Sequence, residues 1–246
     1  MILQDKIPYD IADKPLPGIQ PLDPSDWLRV DDAYAAQMRE RRRLCQEQWE
    51  DVHAMLPPAE DAARELLELV RLDLADRPEF TVEHDCITGP DGHRTQIDRD
   101  APLMTLASLV QEDFCLLTKA EGAREHVLTG AILCFPASWR LSEKIGKPLV
   151  QVHEPVPEYT SVAARVQRLF DGVQVGRPLW RRNVLWYQDA TLYQPRSAHV
   201  PRPIDDTTQA PFLRSEHQTL LRLPRTRAVV FGIHTYVVAA EAVCAS

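Results

Sequence analysis

The sequence predicts an α+β fold built on an antiparallel sheet, and three observations predict it. Two helix-forming stretches come before any strand-like run, β-type segments begin near residue 78, and only short helices are interspersed among the strands that follow. No linker separates the helical part from the β-rich part. A chain of 246 residues suits one domain, here an arm with helices (1–77) and a sheet-containing core (78–246).

Residues 1–24 hold five of the twenty prolines and read as an extended arm lying on the surface. Ser25 or Asp26 is placed to cap a helix running to about Met55, rich in helix formers and ended by Pro57 and Pro58. A second helix over about 59–75 puts Leu66, Leu67, Val70 and Leu74 on one face. The run FTVEHDCITGPDGHRTQI carries a hairpin signal around Gly-Pro-Asp-Gly. A helix near 101–111 leads to two strand-like runs, DFCLLTK and HVLTGAILCF. SWRLSEKIG reads as a short helix, VHEPVPEY as a proline-bounded turn, and TSVAARVQRLFDGV as an amphipathic helix. Three further strands follow: WRRNVLWYQD, LRSEHQTLLRLP and AVVFGIHTYVV.

Composition narrows the function classes. Apolar residues at 44% and charged residues at 26% are those of a soluble globular protein. The formal charge of -8 argues against a nucleic-acid partner. No apolar run has the length of a membrane span, and the N-terminus lacks the apolar core of a secretory signal. The cysteines Cys45, Cys86, Cys115, Cys134 and Cys244 are scattered, with no CxxC pair, and read as free thiols of a reducing, cytoplasmic compartment. Cys115 and Cys134 lie in apolar runs and are expected in the core.

Phosphate-loop, dinucleotide, nucleophile-elbow, HExxH and CxxCH signatures are all missing. His53 is expected solvated on a charged helix, and His84 and His93 exposed beside a turn. His153 precedes Glu154-Pro155-Val156-Pro157, where two prolines stiffen the chain and fix where the imidazole points. Two readings stand for it: an axial haem ligand, or a histidine bonded to a loop carbonyl. Arg214, Glu216 and Gln218 alternate and so share one strand face, and His234 and Tyr236 alternate on the facing strand. Together they offer the polar end of a cofactor pocket whose apolar wall is Leu220, Leu223 and Phe231; the alternative is the exposed face of an ordinary sheet. Arg214, Arg222, Arg225 and Arg227 either pair with carboxylates of a cofactor or are solvated strand and turn charges. Arg181-Arg182-Asn183, beside Trp186-Tyr187, either closes a pocket or protects a sheet edge.

An ordered set of short motifs runs through the chain. It comprises Pro21-Leu22-Asp23 with Asp26-Trp27-Leu28, Phe135-Pro136 with Trp139-Arg140, and Lys144-Ile145-Gly146. It continues with Val152-His153-Glu154-Pro155-Val156-Pro157 and Arg182-Asn183, and ends with Arg214 to Leu220, Arg222-Leu223-Pro224 and Phe231 to Tyr236. In this order the set resembles the haem-dependent oxidative N-demethylase family, haem (alpha) subunit, over about residues 15 to 238. The resemblance implies a PAS-like haem domain with N-terminal helical additions. It implies oxidative removal of a methyl group from a small secondary amine such as dimethylamine, with O2, giving formaldehyde and the smaller amine. It also implies haem b here, and NADPH, FMN and an iron–sulfur cluster on a separate reductase.

Carried over residue by residue, the resemblance makes His153 the axial ligand and maps the Arg-x-Glu-x-Gln-Thr motif onto Arg214, Glu216, Gln218 and Thr219. Glu216, Arg214, His234 and Tyr236 are the expected catalytic set; Arg182, Gln218 and Arg222 join His153 in holding the cofactor. The chain departs from the family pattern at Val184, His217 and His234. The alternative reading is a haem-based gas sensor or haem-binding regulatory protein without turnover.

Overall fold

The fold was obtained as a computed structural model. The structure describes residues 1–12, 18–152, 157–197, 200 and 210–244. Ten strands are formed: β1 (Gln20–Pro21), β2 (His53–Met55), β3 (Thr81–Val82), β4 (Cys86–Thr88), β5 (Arg94–Gln96), β6 (Asp113–Thr118), β7 (Val127–Ile132), β8 (Leu179–Tyr187), β9 (Phe212–Arg222) and β10 (Val229–Ala239). The α-helices are α1 (Tyr34–Glu47), α2 (Trp49–Val52), α3 (Glu60–Ala75), α4 (Pro102–Leu109), α5 (Leu149–Val152), α6 (Pro157–Gly172) and α7 (Ala240–Cys244). The expected α+β class is the one observed.

Seven strands make one antiparallel sheet in the order β1-β8-β9-β10-β6-β7-β2, and β3, β4 and β5 form a small second sheet. The glycine-rich turn expected between β4 and β5 is present, with Gly92 at φ +73, where a side chain would be strained. The long strands β8, β9 and β10 arise from the three strand-like runs of the C-terminal third, with β-branched and aromatic residues concentrated in β8 and β10. Each face of the large sheet is buried. On one face Phe114, Leu116, Ile132, Leu221 and Val230 share a core with Met38, Leu44, Leu66, Leu67 and Val70 of α1 and α3. On the other, Cys115, Leu117, Leu220, Val229 and Ile233 share a core with Leu149, Val152, Val166, Leu169 and Phe170 of α5 and α6.

α3 forms as expected, burying Leu66, Leu67, Val70 and Leu74. The first helix does not run unbroken to Met55. A turn of 3-10 helix (Pro24–Asp26), held by Asp23 accepting the N–H of Ser25, stands where the helix was expected to start. α1 begins eight residues later than that turn's end and stops at Gln48. Residues 53–55 instead pair as an edge strand with β7. Leu56 precedes Pro57, which disfavours helical geometry there, and the ladder satisfies the backbone groups that a helix would have used. His53 is accordingly half-buried rather than freely solvated: its ring stacks on Trp49 at 3.9 Å, and burial lowers its pKa to about 4.

The N-terminal arm lies on the surface as expected for most of its described length, but Gln4 and Leu22 are buried. β6 ends opposite Ile233, so the edge of β10 beyond that point lacks a strand partner. Gln4 takes that edge: its N–H donates to Val237 O at 2.9 Å, its Nε2 donates to Thr235 O at 3.1 Å, and its Oε1 accepts the Val237 N–H at 2.8 Å. Gln37 of α1 adds a second bond to Thr235 O at 3.0 Å. Proline content signals an extended arm but says nothing about the buried backbone it must satisfy. Pro15 and Pro17 lie outside the described residues.

Candidate active site

The register of β8, β9 and β10 decides which side chains meet. Gln218 lies opposite Arg181 and Ile233, Glu216 opposite Asn183 and Thr235, and Leu220 opposite Leu179 and Phe231. Cross-strand partners project to the same face. The face covered by α5 and α6 therefore carries a polar band of Arg181, Asn183, Arg214, Glu216, Gln218 and Thr235. It passes into an apolar bed of Leu179, Leu220, Phe231 and Ile233. Arg214, Glu216 and Gln218 are all buried there, at 2%, 6% and 8% exposure. The alternation expected from the sequence is present, and the face it makes is covered rather than exposed.

The band is internally braced. Arg214 donates to Leu192 O at 2.9 Å and to Phe135 O at 2.5 Å, and its guanidinium stands 3.8 Å from Glu216 Oε1. Gln218 Nε2 donates to Glu216 Oε2 at 2.8 Å. Four buried polar atoms on this face have no hydrogen-bond partner among the described residues: Arg181 Nε, Arg214 Nε, Gln218 Oε1 and Thr235 Oγ1. Orphaned buried polar atoms are costly unless a ligand or water meets them.

His234 and Tyr236 do not join this band. The register pairs them with His217 and Ser215, on the opposite face. His234 is fully buried between two carboxylates, Nδ1 at 2.9 Å from Glu112 Oε1 and Nε2 at 3.0 Å from Asp31 Oδ2. Tyr236 OH accepts from Arg29 Nη1 at 3.2 Å. Alternation within each strand was correctly read, but the two alternating sets belong to different faces. The residue of β10 that faces Glu216 is Thr235.

Two of the expected cofactor-holding arginines have their donors engaged elsewhere. Arg182 is on the face of His217, where it donates to Ala12 O and lies 3.6 Å from Asp10. Arg222 shares the face of Glu216, yet donates to Phe170 O, Val173 O and Arg227 O at 2.5, 2.6 and 2.7 Å, closing the C-terminal end of α6. Arg225 is exposed beside Glu65. His153 lies outside the described residues, between Val152, which packs into the second core, and Pro157, where α6 begins.

His217 is buried against Trp180, ring centroids 4.9 Å apart, with neither ring nitrogen bonded among the described residues. Burial, with the nearby Arg29 and His234 charges, pulls its pKa down to about 2, so it is neutral. His234 is the opposite case. Burial alone would depress it, but the hydrogen bonds and charges of Asp31 and Glu112 outweigh burial and raise its pKa to about 9. Arg29, His217 and Tyr236 are the other titratable groups around it. A raised folded-state pKa contributes stability that is complete below the unfolded value near 6.5 and is lost as pH rises through about 9. Thermal unfolding is thus expected to show a stability loss on the order of 3 kcal/mol across that window, absent in His234→Gln. Parallel pH profiles for the two proteins would refute the imidazolium clamp.

Residues 18–246, nearly the whole chain, match the family described as haem-dependent oxidative N-demethylase, alpha subunit-like. The chain belongs to that family. Membership of the haem-dependent oxidative N-demethylase family makes haem dependence and an oxidoreductase activity the frame in which the site is read. The sheet face under α5 and α6 fits a haem. A porphyrin needs an apolar bed with polar groups at one side for its two carboxylates, and the orphaned atoms of the band supply such groups. Among the described residues of this N-demethylase-family chain, no helix is long and apolar enough to cross a membrane.

Proposed function

We propose that the chain seats haem b on this face, with His153 as the residue that would hold its iron. We also propose that it oxidatively demethylates a small secondary amine such as dimethylamine, with O2. Electrons come from a separate NADPH-dependent reductase carrying FMN and an iron–sulfur cluster. The observation that carries the reading is a buried carboxylate, Glu216, set in a polar band beside an apolar bed in a family member. The alpha-subunit name supports a partner component. The order β7-β6-β10-β9-β8, with α5 and α6 between β7 and β8 in sequence and packed on one face, supports a PAS-like reading of the sheet. The four described free cysteines support a reducing, cytoplasmic setting.

When bound, the haem supplies the oxidising chemistry, and the chain supplies position and charge. An alkylammonium ion needs an anion that is desolvated and fixed. Gln218 holds one oxygen of Glu216, leaving Oε1 to receive the N–H of the amine and to take its proton. Arg214, pinned by two carbonyls, holds its positive charge 3.8 Å from Glu216 Oε1 and so braces the carboxylate that faces the amine. Burial of the band excludes bulk water from the amine.

Glu216→Gln is expected to weaken amine binding roughly ten- to a hundredfold while haem loading is unchanged, since it removes one charge-assisted hydrogen bond. The measurement is a titration of the Soret shift with dimethylamine. Equal affinity in the two proteins would remove Glu216 from amine binding.

A further inference from the structure

We propose that Arg181 is the cation that receives a carboxylate of the cofactor, a haem propionate. The inference rests on the reading of this face as a haem seat. It was not the arginine expected from the sequence, where its neighbour Arg182 was favoured.

Three observations converge on it. First, strand parity puts Arg181 in the polar band, opposite Gln218, whereas Arg182 points away. Second, Arg214, Arg222 and Arg182 already have backbone carbonyls to bond: Arg214 has Phe135 and Leu192, Arg222 has the end of α6, and Arg182 has Ala12. Arg181 makes no hydrogen bond and no ion pair among the described residues, and its Nε is buried without a partner. Third, its register neighbour Gln218 also keeps an unpaired atom, Oε1. A donor and an acceptor on adjacent strands would satisfy each other if they met. Both stay open, turned to the same face.

Charge points the same way. Among the described residues the band holds two guanidinium groups, Arg181 and Arg214, against one carboxylate, Glu216. Burial works against the Arg181 charge, and Glu216 offsets only part of that. A guanidinium does not shed its proton in proteins, so a bound anion would supply the balance. A planar fork at the rim of an apolar bed matches a carboxylate in two-point contact. Two sources of such a carboxylate exist: the propionates of haem, and the carboxylate of an N-methyl amino acid acting as the amine. We assign it to haem, because Glu216 already provides the contact the amine requires.

The test compares haem with haem dimethyl ester, whose propionates are neutral, in wild-type protein, Arg181→Gln and Arg181→Lys. Each is reconstituted with ferric haem, checked for native far-ultraviolet circular dichroism, and followed by transfer of the haem to apomyoglobin. Wild-type protein is expected to lose the ester roughly ten- to a hundredfold faster than haem, as fits loss of a charge-assisted contact. In Arg181→Gln that ratio should fall several-fold towards one, and in Arg181→Lys it should lie between. A wild-type ratio preserved in Arg181→Gln would overturn the assignment. So would a preserved ratio accompanied by weaker binding of N-methylglycine but not of dimethylamine, which would give Arg181 to the substrate. Wild-type protein that takes up neither haem nor its ester would overturn the haem seat itself, a result separate from the other two.

Discussion

Replacing Arg41 with methionine is expected to cost the fold about 3–5 kcal/mol, the range for breaking a buried ion pair from one side. Arg41 is fully buried in α1. It bonds Asp113 Oδ1 at 2.6 Å and the carbonyls of Ala107, Gln111 and Glu112 at 3.2, 3.1 and 2.8 Å. Asp113 in turn accepts the N–H groups of Cys134 and Phe135, both at 2.8 Å. One side chain thereby ties α1, the end of α4, β6 and the segment after β7. Removing it strands a carboxylate and three carbonyls away from water. Removing Asp113 as well is not expected to restore stability, because the two N–H groups would then be orphaned. The midpoint of urea unfolding, followed by tryptophan fluorescence, reads this directly. A loss below about 1 kcal/mol would mean that water reaches the site and the network carries little. The same variant should loosen Arg214, since Phe135 is common to both networks.

His153→Ala is expected to abolish stable haem binding and with it the Soret band of the reconstituted protein. The argument comes from chemistry and chain position. A haem on an apolar bed without an axial ligand is held by area and carboxylate contacts alone, and a neutral imidazole is the missing bond. Val152, the residue before His153, packs into the core that lines the bed. Added imidazole should restore the Soret band in the variant, which separates ligand loss from unfolding. An unchanged spectrum in His153→Ala would sink the assignment.

Much of this was legible in the sequence. β8 and β10 announce themselves through β-branched and aromatic residues, and the period of two along β9 already selects Arg214, Glu216 and Gln218 as neighbours. What one strand cannot reveal is its register against the next. A shift of one residue exchanges faces, and that alone decides between Thr235 and His234, and between Arg181 and Arg182. Arg41 was legible in principle. Tyr34, Gln37, Met38, Arg41, Leu44 and Cys45 recur at helical spacing and form the buried stripe of α1. Within Arg39-Glu40-Arg41-Arg42-Arg43, composition hides the one arginine on that stripe. The burial of Gln4 was not legible, because the partnerless edge it covers is made by β10, more than two hundred residues away.

The place of β10 has a consequence for how the chain reaches this state. β10 is the latest of the described strands in sequence, yet it lies between β9 and β6 and, among the described strands, is the one that pairs the group β1-β8-β9 with the group β6-β7-β2. Neither group pairs with the other until residues 229–239 arrive, and before then Gln4 can bond Asp31 but has no strand edge to cover. Closure across such separations is entropically slow. The chain should therefore fold late and all at once, with no half persisting as a native-like intermediate. A nascent polypeptide ending before residue 229 would carry two unmatched sheet edges, the surfaces on which chaperones and aggregation compete.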